Sequence, residues 1–162
     1  MTETILIGGT SHTGKSTLAD TIALATGGRV VSTDSLARHP GRPWPQVRAH
    51  VAEFYQQLSA PTIFQFLLIH HTNMWPGIRS LIEQQQNGSD PTPLILEGSA
   101  VRPEFVAELP STRLRAVWLY AGDDFLNQRM SAASDYQQAG KVMQKIIAQF
   151  MDRSLTDNVR SL

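Results

Sequence analysis

The sequence contains no cysteine and no excess of charge of either sign. The lack of cysteine excludes disulfide bonds, cysteine-ligated zinc, iron–sulfur clusters and thiol catalysis, and it fits a reducing compartment. Lys and Arg number 14, as do Asp and Glu, so the formal net charge is zero. A broadly basic nucleic-acid-binding protein and a polybasic membrane protein are therefore disfavoured, although a local basic pocket is compatible with this balance.

Long hydrophobic runs are also missing. No stretch reaches the length that a membrane span needs, and the N-terminal segment MTETILIGG lacks the features of a signal peptide. Hydrophobic residues nevertheless make up 41% of the 162 residues, which is enough for the packed core of one domain. We therefore expect a single cytoplasmic domain over residues 1–162 that binds neither nucleic acid nor membrane.

Short apolar runs alternate with helical patterns along the chain. Strands are predicted at residues 4–7, 29–32, 94–96 and 114–120, and helices at 15–26, 46–58, 62–86, 104–109, 123–130 and 141–155. Pro76 should kink or split the third of these helices. The alternation predicts an α/β fold in which helices cover both faces of a parallel sheet, so the ligand site should lie at the carboxyl ends of the strands.

The strongest motif follows the first predicted strand. Residues 9–16, GTSHTGKS, match the phosphate-binding pattern G-x-x-x-x-G-K-[ST] in full. Gly9 and Gly14 let the backbone curl so that successive amides face phosphate oxygens, and the amino end of the next helix adds its dipole. Lys15 is predicted to bind the terminal phosphates as a cation, and Ser16 to ligate Mg²⁺. The other predicted nucleotide contacts are Thr10, Ser11, His12, Thr13 and Thr17, with a solvated loop position as the alternative for His12.

Two carboxylates follow predicted strands at this same edge of the sheet. Asp34, in VVSTDS, is predicted to orient an acceptor hydroxyl and accept its proton, with helix capping as the alternative role. Glu97, in LILEGS, is predicted to hold Mg²⁺ through water or to bind the acceptor, with a solvent-facing strand end as the alternative. Gly98 would then allow a close approach to the backbone.

What the chain lacks narrows the class of phosphate-binding protein. The guanine-reading motif N-K-x-D is missing, which disfavours a GTPase. The chain is also too short for a large motor or transporter ATPase. A small kinase-type domain, in which ATP donates a phosphoryl group to a small acceptor, remains.

Three segments carry a family resemblance. GGTSHTGKST, VVSTDS and LILEGSAVRP resemble the small P-loop kinases of the nucleoside and shikimate kinase type, and most closely the 2-phosphoglycerate kinase-like members, at residues 9–17, 32–35, 97–98 and 103. The resemblance implies ATP and Mg²⁺, strand order 2-3-1-4, acceptor-side helices at about 46–88 and a mobile lid at about 129–145. It also implies that Arg129 opens this lid and helps to neutralise the transferred phosphoryl group, with a solvated helix position as the alternative.

The chain departs from this family pattern in two places. The loop RHPGRPW at residues 38–44 should lie over the acceptor pocket, where Arg38, His39 and Arg42 would suit an anionic acceptor. Plain loop packing is the alternative for these side chains. The last residues, TDNVRSL, stand where such kinases approach a fifth strand, and we expect that strand to be absent.

These patterns predict an ATP-dependent phosphotransferase acting on a hydroxyl of a small anionic metabolite, with a homodimer as one possible assembly. Two alternatives stay open: a nucleotide-binding regulatory or assembly module without phosphoryl transfer, and a nucleoside or nucleotide kinase. His70 and His71 are adjacent on a predicted helix and point about 100° apart, which disfavours a shared metal ion. The apolar stripe around them indicates core packing, part of which could wall the acceptor pocket.

Overall fold

The computed structural model describes residues 3–36, 42–44, 46–110 and 113–160. Strands and helices alternate over this length. The strands are β1 (Thr4–Gly9), β2 (Arg29–Ser32), β3 (Leu94–Glu97) and β4 (Leu114–Leu119). The helices are α1 (Lys15–Thr26), α2 (Ala49–Gln57), α3 (Ala60–Asn87), α4 (Pro103–Val106), α5 (Asp123–Ala133) and α6 (Lys141–Arg160). Short 3₁₀ helices follow β2 at Thr33–Ser35 and precede α6 at Tyr136–Gln138.

The strands form one parallel sheet in the order β2–β3–β1–β4. In this register Ile7 of β1 lies opposite Glu97 of β3 and Val117 of β4. Parallel neighbours need crossover connections, which the helices between successive strands provide. The predicted α/β fold and the strand order 2-3-1-4 are thereby confirmed. All four carboxyl ends therefore lie at one edge of the sheet.

Alternate residues of the central strands bury against different helices. Leu6 and Leu96 pack with the carboxyl-terminal half of α3 and with α4. Ile7 and Ile95 pack on the other face with Ala19 of α1. This two-sided burial follows from the alternation of side chains along a strand, and it explains why β1 and β3 are almost wholly apolar.

A further hydrophobic cluster lies among the helices. It joins α2, α3, α5 and α6 through Val51, Tyr55, Ile63, Leu126, Met130, Ile146 and Phe150. The segment predicted as a lid therefore packs, through α5 and α6, against the helices predicted to wall the acceptor pocket. Whether that segment moves as a lid stays a prediction.

α3 differs from its prediction, because it continues without a break from Ala60 to Asn87. Pro76 has no N–H, so the carbonyl of Thr72 loses its helical partner. Both residues are exposed, so water can hydrogen-bond to that carbonyl. The prediction that Pro76 splits this helix is therefore wrong, and a kink at Pro76 stays a prediction.

The other differences concern where elements end. α4 stops at Val106, α5 reaches Ala133, and α6 reaches Arg160, so the described part of TDNVRSL is helical. The sheet of the described residues has four strands, as expected. Arg38 and His39, with most of their predicted loop, lie outside the described residues. In the described ranges, every helix is too short or too polar to cross a membrane.

Candidate active site

The loop between β1 and α1 has a left-handed backbone at two positions. His12 and Gly14 have φ angles of 67° and 94°, and Gly14 is the residue from which α1 begins. Left-handed residues in such loops create concave runs of amides that bind anions. Gly14 suits its position because residues with a side chain rarely adopt this φ. The loop thus has the backbone expected for its motif.

Hydrogen bonds to and from Thr10 hold this loop in place. The Lys15 Nζ donates to the Thr10 carbonyl at 2.6 Å, and the Thr13 hydroxyl donates to the same oxygen at 2.9 Å. The Thr10 hydroxyl in turn donates to the carbonyl of Ser154 in α6 at 3.0 Å, and Thr10 is buried. The phosphate-binding loop is therefore attached to α6 as well as to β1.

Three charged residues line one cavity of about 580 Å³, and each lies at or beyond the carboxyl end of a different strand. Lys15 lies at the start of α1, Asp34 in the 3₁₀ helix after β2, and Glu97 at the end of β3. Asp34 is exposed, whereas Glu97 is only 5% exposed. Burial lowers the pKa of Lys15, while the carboxylates of Glu97 and Asp34 act in the opposite direction. The cavity therefore combines a partly buried cation with two carboxylates.

His12 lies among cationic side chains of the same cavity. Burial first, and then the charges of Arg42, Arg129 and Lys15, lower the pKa of His12 to about 4. The imidazole is therefore neutral at pH 7, and its Nδ1 lies 3.0 Å from the Ser11 hydroxyl oxygen. His12 can contact a phosphate as a neutral donor, while the positive charge around the loop comes from the other three residues.

Gly98 allows a close approach to its backbone, as expected, but the group that approaches is another segment of the protein. Its φ is 150°, and a Cβ at this position would collide with the hydroxyl of Thr33. Thr33 is fully buried in the 3₁₀ helix that carries Asp34. Gly98 therefore lets the end of β3 pack against the segment that positions Asp34.

Residues of α2, α3 and α6 also line the cavity. Four aromatic side chains line this part, namely Phe54, Tyr55, Phe66 and Phe150. Its polar residues include His70, His71, Asn73, Ser99 and Arg153. His71 is buried, and its Nε2 lies 3.3 Å from the Ser99 hydroxyl. Sequence reasoning did not single out these aromatic residues, because only packing places the three helices around one space.

The structure brings together most of the predicted site residues. The cavity is lined by Ser11, His12, Gly14, Lys15, Ser16, Thr17, Asp34, Arg42, Glu97, Gly98 and Arg129. Gly9, Thr10 and Thr13 are not among the lining residues, and the hydroxyls of Thr10 and Thr13 donate to backbone carbonyls. The chemical roles assigned to all of these residues stay predictions.

A buried ion pair that the sequence did not reveal supports the site. The Arg102 Nη1 donates to Asp157 Oδ1 at 3.0 Å, and both side chains are buried. At the next residue, the Asn158 amide donates to the Ala121 carbonyl at 2.8 Å. These contacts attach the end of α6 to the segments that follow β3 and β4. Asp157 gave no sequence signal, since its segment resembled the approach to a strand.

The residues present fit a nucleotide-bound Mg²⁺ better than an isolated metal ion. Across the described part of the chain, no group of three His, Asp or Glu side chains could hold a metal. Mg²⁺ in nucleotide sites takes most of its ligands from phosphates and water, with one or two protein oxygens. The Ser16 hydroxyl and the Glu97 carboxylate are oxygens of this kind, and both line the cavity.

The strand order and the loop after β1 define the fold of the small P-loop kinases. Among solved structures, the chain is similar to a gluconokinase from Sinorhizobium meliloti 1021, with 18% identity, a TM-score of 0.51, and coverage of 93% of this chain and 74% of that one. A shikimate kinase from Acinetobacter baumannii in complex with shikimate has 17% identity, a TM-score of 0.43, and coverage of 99% and 80%.

The gluconokinase likeness confirms the resemblance at the level of the fold. The closer resemblance to 2-phosphoglycerate kinase-like proteins stays a prediction. No protein-family profile and no curated protein matches the chain.

Proposed function

We propose that this protein is an ATP-dependent kinase that phosphorylates a hydroxyl of a small anionic metabolite. The observation that carries the proposal is the convergence of Lys15, Asp34 and Glu97 on one cavity beside the phosphate-binding loop. Phosphoryl transfer needs a cation at the transferred group and a carboxylate at the acceptor hydroxyl. A cavity of about 580 Å³ also has the size of a small-molecule site.

Residues around the loop would bind the donor. The loop amides and Lys15 bind the phosphates of ATP, and Ser16 and Glu97 hold Mg²⁺, Glu97 directly or through water. Mg²⁺ supplies charge neutralisation at the phosphate oxygens. Arg42 and Arg129 add positive charge on the side of His12. Arginine suits this role because its planar guanidinium donates two parallel hydrogen bonds to phosphate oxygens.

Asp34 would act on the acceptor. Its carboxylate orients the acceptor hydroxyl and accepts the proton as the oxygen bonds to the γ-phosphorus. The bond from that phosphorus to the oxygen bridging the β- and γ-phosphates breaks in the same step, which releases ADP. General-base assistance of this kind is worth about 10²–10⁴-fold in rate. Arg129 stabilises the charge on the transferred group.

The test measures acceptor-stimulated ADP release from MgATP, with pools of phosphorylated acids, sugar acids, sugars and nucleosides. Asp34→Asn should reduce stimulated release by about 100-fold or more while the Kd for MgATP changes little. Lys15→Ala should weaken MgATP binding and abolish release. Asp20→Asn, an exposed acid on α1, is the matched control. Stimulation at the wild-type rate in Asp34→Asn would refute the assignment of the base.

Two other functions have some support. The aromatic part of the cavity favours a nucleoside or nucleotide as the acceptor, which competition by nucleosides would reveal. The exposed residues Arg115, Ala116 and Val117 of edge strand β4 favour an assembly module or a homodimer. Such a module would bind ATP and change its oligomeric state without acceptor-stimulated ADP release.

A cytoplasmic location is proposed with any of these functions, since the chain has no cysteine.

A further inference from the structure

Arg153 of α6 is a buried cation with few partners. Its residue is 9% exposed, it lines the cavity, and its guanidinium lies over the Phe150 ring at 4.5 Å. Within the described residues its guanidinium donates one hydrogen bond, from Nη2 to the Ser154 hydroxyl at 3.0 Å, and its Nε has no partner. No carboxylate of the described ranges forms an ion pair with it. A buried charge in this state is stabilised by an anion that enters the cavity.

Arg153 lies close to Tyr55 and also to the phosphate-binding loop, because the carbonyl of the next residue, Ser154, accepts a hydrogen bond from Thr10. The charge of Arg153 acts on the hydroxyl of Tyr55, where it opposes the effect of burial, which raises the pKa of Tyr55. The cations that act on His12 in the phosphate-binding loop are Arg42, Arg129 and Lys15. Of these four cations, Arg153 is the one whose charge acts on Tyr55, so it is the one placed for an acceptor beside that residue.

Part of the cavity that Arg153 lines is apolar and aromatic. Phe54 contacts the rings of Tyr55 and Phe66 edge-on, with centroid distances of 5.2 and 5.8 Å. Phe66 and Ile69 also line the cavity, yet they are 50% and 56% exposed to water. An apolar ligand surface would be stabilised by covering these two side chains, whereas polyol hydroxyls placed against them would lose water and gain no hydrogen bond from them.

We infer that the acceptor carries an anionic group, bound by Arg153, on a ring-shaped body that packs against Phe54 and Phe66. This inference rests on the proposed kinase function and specifies its substrate class. Two kinds of metabolite share this chemistry: a nucleoside monophosphate and a hydroxylated aromatic carboxylate. A sugar acid, which has an anionic group and no apolar ring, does not.

The test measures binding, so that it does not depend on turnover. The protein is saturated with MgAMPPNP, and the Kd values of uridine monophosphate, 4-(hydroxymethyl)benzoate and gluconate are measured by titration calorimetry. At least one of the two ring-bearing anions should bind at least about 10-fold more tightly than gluconate. The tighter of the two shows whether the acceptor is a nucleoside monophosphate or a hydroxylated aromatic carboxylate.

Two variants and a matched control locate the binding. Arg153→Met should weaken the ring-bearing anion about 10-fold or more, with the Kd for MgAMPPNP unchanged. Phe66→Ala, at an exposed position that does not threaten folding, should weaken it about 10-fold. Arg160→Met is the control, because Arg160 lies on the same helix over the Phe64 ring at 4.8 Å and does not line the cavity.

Each outcome decides the inference. Tighter binding of gluconate, or no binding of either ring-bearing anion to the wild type, would overturn it. An Arg153→Met variant that loses MgAMPPNP instead would show that Arg153 serves the donor. If a ring-bearing anion binds as expected and is never phosphorylated in MgATP, the ligand class stands and the kinase function fails.

Discussion

At the scale of single residues, the surroundings of His12 lower its pKa and keep the imidazole neutral at pH 7. Its pKa in the folded protein is about 4, below the value of about 6.5 in an unfolded chain. Between these values the unfolded state binds more protons, so stability is complete above pH 6.5 and declines as the pH falls towards 4. We predict a smaller loss of Tm from pH 7 to pH 5 in His12→Asn than in the wild type. Asparagine is chosen because it tolerates the left-handed backbone.

The same residue reports on nucleotide binding. Phosphates beside Arg42, Arg129 and Lys15 would offset their charge, so MgATP should raise the pKa of His12. NMR titration of the imidazole resonances, with and without MgAMPPNP, measures this change. An unchanged or lower pKa in the nucleotide complex would mean that the phosphates bind elsewhere.

Gly98 gives a residue-scale prediction about stability. Gly98→Ala combines a φ of 150° with a collision against the buried Thr33, so we expect a loss of about 2 kcal/mol or more. Gly77 is the contrasting position, because it lies inside α3 with nothing within 4 Å of an added Cβ. Gly77→Ala should stabilise the protein by about 0.5–1 kcal/mol. Urea unfolding measures the change in the free energy of unfolding for both variants. Equal changes in Gly98→Ala and Gly77→Ala would contradict the collision and the backbone strain assigned to Gly98.

At the scale of elements, α6 depends on its buried ion pair. Asp157→Ala leaves the Arg102 guanidinium buried without that carboxylate, which should cost about 3–5 kcal/mol. Glu104 also accepts a bond from Arg102, at 2.6 Å, but its side chain is 53% exposed. Glu104→Gln should therefore cost less than about 1 kcal/mol. Denaturant unfolding measures the free energy of unfolding of both variants. Similar losses in Asp157→Ala and Glu104→Gln would show that burial does not make the Asp157 pair the stronger one.

Elements with a clear hydrophobic pattern can be predicted from the sequence. The strands β1 and β3 were recognisable because apolar side chains cover both of their faces. Pro76 misled because proline removes a hydrogen bond in any helix, but the cost depends on whether water reaches the freed carbonyl. The exposure of Thr72 and Pro76 is a property of tertiary packing.

At the scale of the whole molecule, the cavity lies between the sheet edge and the helices, so a bound nucleotide should stabilise the entire domain. MgATP at about 100 times its Kd should add about 2.7 kcal/mol to the free energy of unfolding. For a chain of this size that corresponds to a rise in Tm of roughly 5–11 °C. Differential scanning fluorimetry measures the shift, which Lys15→Ala should abolish. A shift retained in that variant would remove Lys15 from the donor site.

The local chemistry of this protein can be derived from its sequence, because it depends on neighbouring residues. Each of these features is set by a few neighbouring residues: the glycine spacing of the loop, the alternation of strands and helices, and the acids after β2 and at the end of β3. The resemblance supplied the strand order. Tertiary structure decided the rest: which helices surround the cavity, that Arg153 is buried beside Phe150 with few partners, and that Asp157 pairs with Arg102. The ion pair joins residues far apart in the chain, and the burial of Arg153 depends on the helices that pack against α6, so both features depend on tertiary packing.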